Sequence, residues 1–520
     1  MKKTFFLFLV LISSTILLNA QSEINYKQID REKTDDHPKD IFQDKDGNVY
    51  VLFIDKLNFT KNQGVWLYKF SPTFDFLSRI DIKGDLPDFF YARILLDHVC
   101  IISINVTGQS KVPSYVMFYD FTGNFIKKIE LDPTFNYSKL FGTVTPTFGG
   151  VTAGSPGYSS NDKFRENYNN FKITKDNKIY FVWGMKEIKA PKAETKHEFK
   201  VYVFDLNLEK IAEETFMFED VFANTSELYS LEFDVTPKNK IIGFCENYSL
   251  PNNAQLNIAV FNNPGEKPII HKYTFPSGGL HFAYNFGNND EIFISGVGVT
   301  GSPLQNRSTD KYYFFINQSL ISTEPATPRV FDIEKQIYTA YPDCEDNLRK
   351  TTMTPFEIFV MNDGIICGST HIASSYSNAS NETTDYATSL VFIKYSFTGE
   401  IQWLKMVNKR VLIEYPLNPY TYFCYLKDND NVKIIYPDYY ENILDGKNKF
   451  YKSDETKALA ITKVSTSGNI STQVFHKNDD TKFRYFLSKS IFSKDGIISL
   501  AVSFPKLLKQ ESYLVEIKYP

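Results

Sequence analysis

One stretch constrains this chain more than any other: residues 358–407, whose pattern returns from end to end. An apolar run (Ile358, Phe359, Val360) meets a turn at Asn362-Asp363-Gly364 and a second run (Ile365, Ile366, Cys367, Gly368). After a polar loop come a third run at 390–395, a turn at Thr398-Gly399, and a fourth run at 401–407. Short apolar runs bounded by Gly, Asn and Asp read as strands, and residues that accept positive φ close tight hairpins. The unit is four strands in two hairpins.

Copies of the first hairpin centre on Asp46-Gly47, Asp97-His98, Asp176-Asn177, Lys238-Asn239, Asn288-Asn289, Asp363-Gly364, Asn429-Asp430 and Asp495-Gly496. The second hairpin follows each of the first seven, at 65–82, 115–131, 199–216, 257–275, 312–321, 390–407 and 459–475. The eighth unit ends with a third strand at 512–519 and lacks a fourth. Residues 24–31 belong to no other unit, and pairing them with 514–519 covers an edge that would otherwise be open. A four-stranded unit recurring about every 50–80 residues around an axis is a β-propeller. The expected fold is all-β: four-stranded blades, eight in number, closed by an N-terminal strand. Seven blades is the alternative, should the second or fifth copy be an insertion.

Two segments carry a resemblance. Asp44-Lys45-Asp46-Gly47-Asn48-Val49-Tyr50 and Lys394-Tyr395-Ser396-Phe397-Thr398-Gly399-Glu400-Ile401-Gln402-Trp403 resemble the repeat of bacterial exported β-propeller proteins. There, D-x-x-G-N-x-Y heads a unit and K-x-x-x-x-G-x-x-x-W ends one. The N-terminus resembles that of exported proteins of the Bacteroidetes type. The resemblance implies a fold and no activity.

Lys2 and Lys3, the apolar run 5–18 and Asn19-Ala20 read as a cleavable signal peptide over residues 1–20, leaving 21–520 as a single propeller domain. The apolar run is shorter than the roughly 20 residues a spanning helix needs, and no later segment is a candidate span. The mature chain is expected to be exported, periplasmic or extracellular, and monomeric. A net charge of -4 offers no field for nucleic acid. Four of the five cysteines sit in apolar runs; a Cys367–Cys424 bridge between adjacent repeats is the alternative to free thiols. No His or Cys spacing forms a metal site, and no motif calls for a cofactor.

Loop length places the function. Calling the strands a to d outward from the axis, a–b and c–d turns share one face, and b–c and d–a connections the other. The long segments are 132–170, 185–197, 299–310, 322–354, 371–385 and 437–457, all read as b–c or d–a. Long loops on a rigid scaffold carry binding and chemistry. The candidate binding residues there are Asp343, Glu345, Arg349, Tyr376, Asp438, Tyr439 and Tyr440: tyrosine rings stack on apolar faces while carboxylates accept hydroxyl or amide donors. The expected function is non-catalytic binding of an extracellular polysaccharide or protein through that face. A glycan-active hydrolase or lyase using loop Asp and Glu is the alternative, since paired carboxylates leave no local motif. No catalytic residue is identifiable.

Overall fold

The computed structural model describes residues 24–29, 37–57, 61–83, 86, 90–103, 114–135, 171–188, 196–218, 230–250, 253–276, 279–299, 311–341, 351–377, 382–413, 423–428, 430–438, 443, 458–477, 483–487, 490–492, 496–506 and 509–519. These form eight antiparallel sheets arranged as the blades of an eight-bladed β-propeller. Blades 1 to 7 each contain four strands in sequence order, over 37–81, 90–130, 171–218, 230–275, 279–331, 351–413 and 424–477.

Blade 8 is built from both ends of the chain. Its inner edge is split into Arg484–Tyr485 and Ile491–Phe492, both paired with Gly496–Lys506. Lys509–Lys518 comes next, and Ile24–Ile29 is the outermost strand. The closing strand runs antiparallel, with Ile24 opposite Ile517 and Ile29 opposite Ser512. The expected closure is therefore present.

The core is distributed between blades. Each blade carries apolar side chains on both faces, because strand neighbours point to opposite sides and both sides meet another sheet. Val51 and Phe53 pack toward blade 8 while Leu52 and Ile54 pack toward blade 2. Eight such clusters join blades 1–2, 2–3, 3–4, 4–5, 5–6, 6–7, 7–8 and 8–1. That unbroken circuit rules out the seven-bladed alternative. Cys100, Cys245, Cys367 and Cys424 are free and buried. Cys367 lies in the 5–6 cluster and Cys424 in the 7–8 cluster, on sides of their blades that face apart, which corrects the bridge alternative.

Three connections differ from the reading of the sequence. Blade 5's strand d is Arg329–Phe331, so residues 320–328 link c to d and belong to the short-turn face. The d–a connection that follows contains one helix, Ile333–Ala340. Segments 185–197 and 371–385 are largely strand: blade 3's pair extends to Ile188 and from Lys196, and blade 6's strands b and c are Gly364–Ser377 and Glu382–Tyr395.

Candidate functional site

The short-turn face is held by its own chemistry. In five of the described turns, an oxygen-bearing side chain five residues ahead of the following strand accepts from the backbone N–H groups two and four positions on. Asp44 takes those of Asp46 (2.9 Å) and Asn48 (2.8 Å), and Asp205 those of Asn207 (2.9 Å) and Glu209 (2.8 Å). Ser71, Asp120 and Thr236 do the same. The fourth residue of each such turn has positive φ: Gly47, Phe74, Gly123, Leu208, Asn239.

The preceding blade then grips these turns. Lys127 of blade 2 donates to Leu208 O (3.2 Å) and pairs with Glu209 (2.7 Å) on blade 3. Asn317 of blade 5 donates to Phe397 O (2.9 Å) on blade 6. Lys394 and Trp403 of blade 6 both donate to Thr466 O of blade 7, at 3.0 and 2.9 Å. In blades 3 to 5 the a–b turns are joined as well: Asn239 donates to Asp176 (2.9 Å), and Lys238 pairs with Asp290 (2.8 Å). The hydrogen bond from Lys178 holds the Asp176 carboxyl well below the usual carboxylate range, and that from Lys238 lowers Asp290.

The inner strands are clipped in the same spirit. On blades 1, 4, 5 and 6 a polar side chain accepts the N–H of the next residue and reaches the neighbouring blade. Asp40 accepts from Ile94 N (2.9 Å), and Asp234 from Tyr284 Oη (3.0 Å) while pairing with Lys172 (3.1 Å). Asn285 donates to Ile358 O (2.7 Å), and Glu357 accepts from Tyr425 Oη. Burial, with the Glu357 charge adding to it, pushes the Tyr425 phenol far up. These clips went unread in the sequence, although Asp40-Ile41, Asp234-Val235, Asn285-Phe286 and Glu357-Ile358 share one signal, a polar residue directly before an apolar one on strand a.

On the opposite face blade 6 stands apart. Its strands b and c have 14 residues each, against 9 in strand b of blade 5 and 8 in that of blade 7. At about 3.3 Å per residue, the excess carries these strands about 15–20 Å beyond the described ends of strand b in blades 5 and 7.

Beside it the helix is fixed at both ends. Asp332 caps it by accepting from Lys335 N (3.1 Å), and Glu334 pairs with Lys311, whose side chain is 4% exposed, at 2.5 Å. Ile333 and Ile337 enter the 5–6 core. The Tyr341 hydroxyl accepts from Met406 N (3.2 Å) on strand d of blade 6. The described chain thus stops at Tyr341 beside the outer strand of blade 6 and resumes at Thr351, opposite Ala373, on that blade's inner strand.

Of the residues expected to bind, Asp343, Glu345, Arg349, Tyr439 and Tyr440 lie outside the described residues. Tyr376 is on the tall hairpin, its backbone opposite Thr383. Asp438 departs from expectation. It ends strand b of blade 7 opposite Ala458 and is 1% exposed, because the sheet register continues through Tyr436 and Pro437 instead of breaking into a loop. Burial, then the nearby Asp438 carboxylate, raises the Tyr436 phenol above its ordinary range.

One Ser–His contact exists among the described pairs: His371 Nδ1 lies 3.0 Å from Ser389 Oγ across strands b and c of blade 6. Both side chains are buried, and burial together with Lys311 pushes the imidazole down to about 3. A sealed, neutral ring beside a sealed hydroxyl ties two strands together and has no route to substrate. Among the described residues no group of three or more His, Cys, Asp or Glu side chains gathers as a metal site, and no helix is long and apolar enough to cross a membrane.

No family model and no curated protein matches the chain. Several solved structures share its arrangement, and they are β-propeller proteins. A polysaccharide lyase is 10% identical over 84% of this chain and 90% of its own, with a TM-score of 0.38. A member of the duf4221 family from Bacteroides vulgatus is 11% identical over 96% and 99%, with a TM-score of 0.31. A catalytically inactive virginiamycin B lyase from Staphylococcus aureus is 10% identical over 95% and 99%, also at 0.31. At such TM-scores the likeness carries no argument, and the fold rests on the eight sheets described above. The chain is an eight-bladed β-propeller.

Proposed function

We propose that this propeller is an exported, non-catalytic binding protein that takes an extracellular polysaccharide or protein partner on its b–c and d–a face, with blade 6 as the main platform. The observation that supports this is the unequal use of the two faces. On the short-turn side, turn carbonyls and carboxylates are already spent on the neighbouring blade, as at Thr466 and Asp290. On the other side two long strands extend, flanked by an anchored helix. Strands and helices of a scaffold hold binding groups more precisely than free loops do.

The test is capture from a glycan array and from an extracellular protein extract. The mature chain is compared with a variant in which Ile372 is joined to Ala387 through a two-residue turn, a pair the register already places opposite each other. Loss of capture with an unchanged melting transition is expected. Capture that survives the shortening, or release of cleaved glycan products by the intact chain, would defeat the reading.

A further inference from the structure

Along Ile24–Ile29, the strand that closes the ring, the side chains of Asn25, Tyr26, Lys27 and Gln28 are exposed, and Ile29 enters the core between blades 8 and 1. Tyr26, half exposed, adds edge contacts to Phe483 (5.3 Å) and Tyr513 (6.1 Å). Backbone pairing joins the strand to 512–517 over its whole length. The edge it covers is different in character: Leu514, Val515 and Ile517 are wholly buried in two inter-blade clusters.

We infer that the 512–517 edge is a strand-acceptor site whose alternative occupant is the 24–29 segment of a second copy of this chain. The chemistry the edge accepts is already seated on it: six backbone pairs in fixed antiparallel register and one isoleucine at the Ile29 position. A second copy carries the same segment in the same order. Only the seven residues 30–36 tether the strand to its own blade 1. A tether this short keeps the segment at an effective concentration in the millimolar range. Closure within one chain therefore dominates in dilute solution, and exchange between chains grows as protein concentration approaches that range. Each exchange swaps identical contacts, so reciprocal closure of two rings changes no interface of either propeller.

The experiment traps exchange covalently between full-length chains in a Cys344→Ser background. One variant carries Asn25→Cys and the other Glu516→Cys, which face each other across the pair; Gln28→Cys and Tyr513→Cys form a second set. The two sets differ in parity along the ladder, so at least one presents the close, non-hydrogen-bonded geometry a disulfide needs. Either set placed in a single chain is expected to cross-link within that chain and so verifies the register. Mixing the single variants at high concentration and then oxidising is expected to give a covalent dimer linked at 25–516 or 28–513. That yield should exceed by at least about fivefold the yield with Thr122→Cys, an exposed position on blade 2, as the second partner. A dimer yield equal to the Thr122→Cys control, with the single-chain cross-link forming normally, overturns the inference. So does failure of the single-chain cross-link in both sets.

Discussion

Gly123 shows how much a single turn residue can carry. Its φ is +83°, and a Cβ there would sit 2.5 Å from the carbonyl oxygen of Asp81 on blade 1. Gly265 has nearly the same φ, +77°, but open space around it. Gly265→Ala is expected to cost about 1 kcal/mol, the left-handed penalty alone, and Gly123→Ala about 2–4 kcal/mol, since the blade contact must also yield. Equal losses in urea titrations would mean that the turns do not grip their neighbours. Lys394 makes a related case. Its side chain is 5% exposed, pairs with Asp363 at 2.6 Å and donates to Thr466 O. Lys394→Met should destabilise by about 1–3 kcal/mol, the range for stranding buried polar partners. At this scale the sequence was partly legible. Asp46-Gly47 and Asp176-Asn177 read as turns because Gly and Asn favour positive φ. Leu96, Leu208 and Asp290 hold that conformation instead of the neighbouring Asn or Asp. At Leu208 the cause is packing: the side chain is buried in the 2–3 core, and position in the five-residue turn fixes its backbone.

Among elements, strands that bury a face announced themselves, and those that do not stayed hidden. A short continuous apolar run marks a strand buried on both faces. It is present in Val49–Leu57, whose residues 49–54 are all buried. It is missing from 372–377 and 382–388, rich in Ser and Thr, which read as a loop yet extend blade 6. Arg329–Phe331 was missed for another reason: three residues after a nine-residue connection carry no periodic signal. The closing strand yields a direct prediction. Ile29 is 2% exposed, so Ile29→Ala should lower stability by about 2–4 kcal/mol. Gln28→Ala, on the exposed side, should stay within about 0.5 kcal/mol. Limited proteolysis near the N-terminus should accelerate for the first variant only; similar behaviour of both would argue against closure by this segment.

For the whole molecule, acid is the informative stress. His371 and His476 are buried, with burial lowering their imidazoles to about 3 and about 4; Lys311 adds to the effect at His371. In the unfolded chain they titrate near 6.5, so on acidification the unfolded state takes up the protons first. Stability is therefore unaffected by these groups above neutrality. It falls as pH drops below about 6.5, by about 1.4 kcal/mol per histidine per pH unit, until the folded values are reached. Denaturation midpoints between pH 6.5 and 4.5 should decline steeply, less so in His371→Gln; a flat profile would contradict the sealed positions. The fold itself was readable because eight copies of the first hairpin and seven of the second recur along the chain. The candidate site was readable only as a face, since its residues come from connections distant in sequence that share no local pattern.

The claim on which the account turns is the division of labour between the two faces. Hydrogen–deuterium exchange on the full chain, with and without a partner recovered by capture, tests it most directly. Slowed exchange is predicted along blade 6 at 369–388 and 401–413, with the short turns at 44–48, 120–124 and 205–209 unchanged. Protection that appears at those short turns and leaves blade 6 untouched would contradict it.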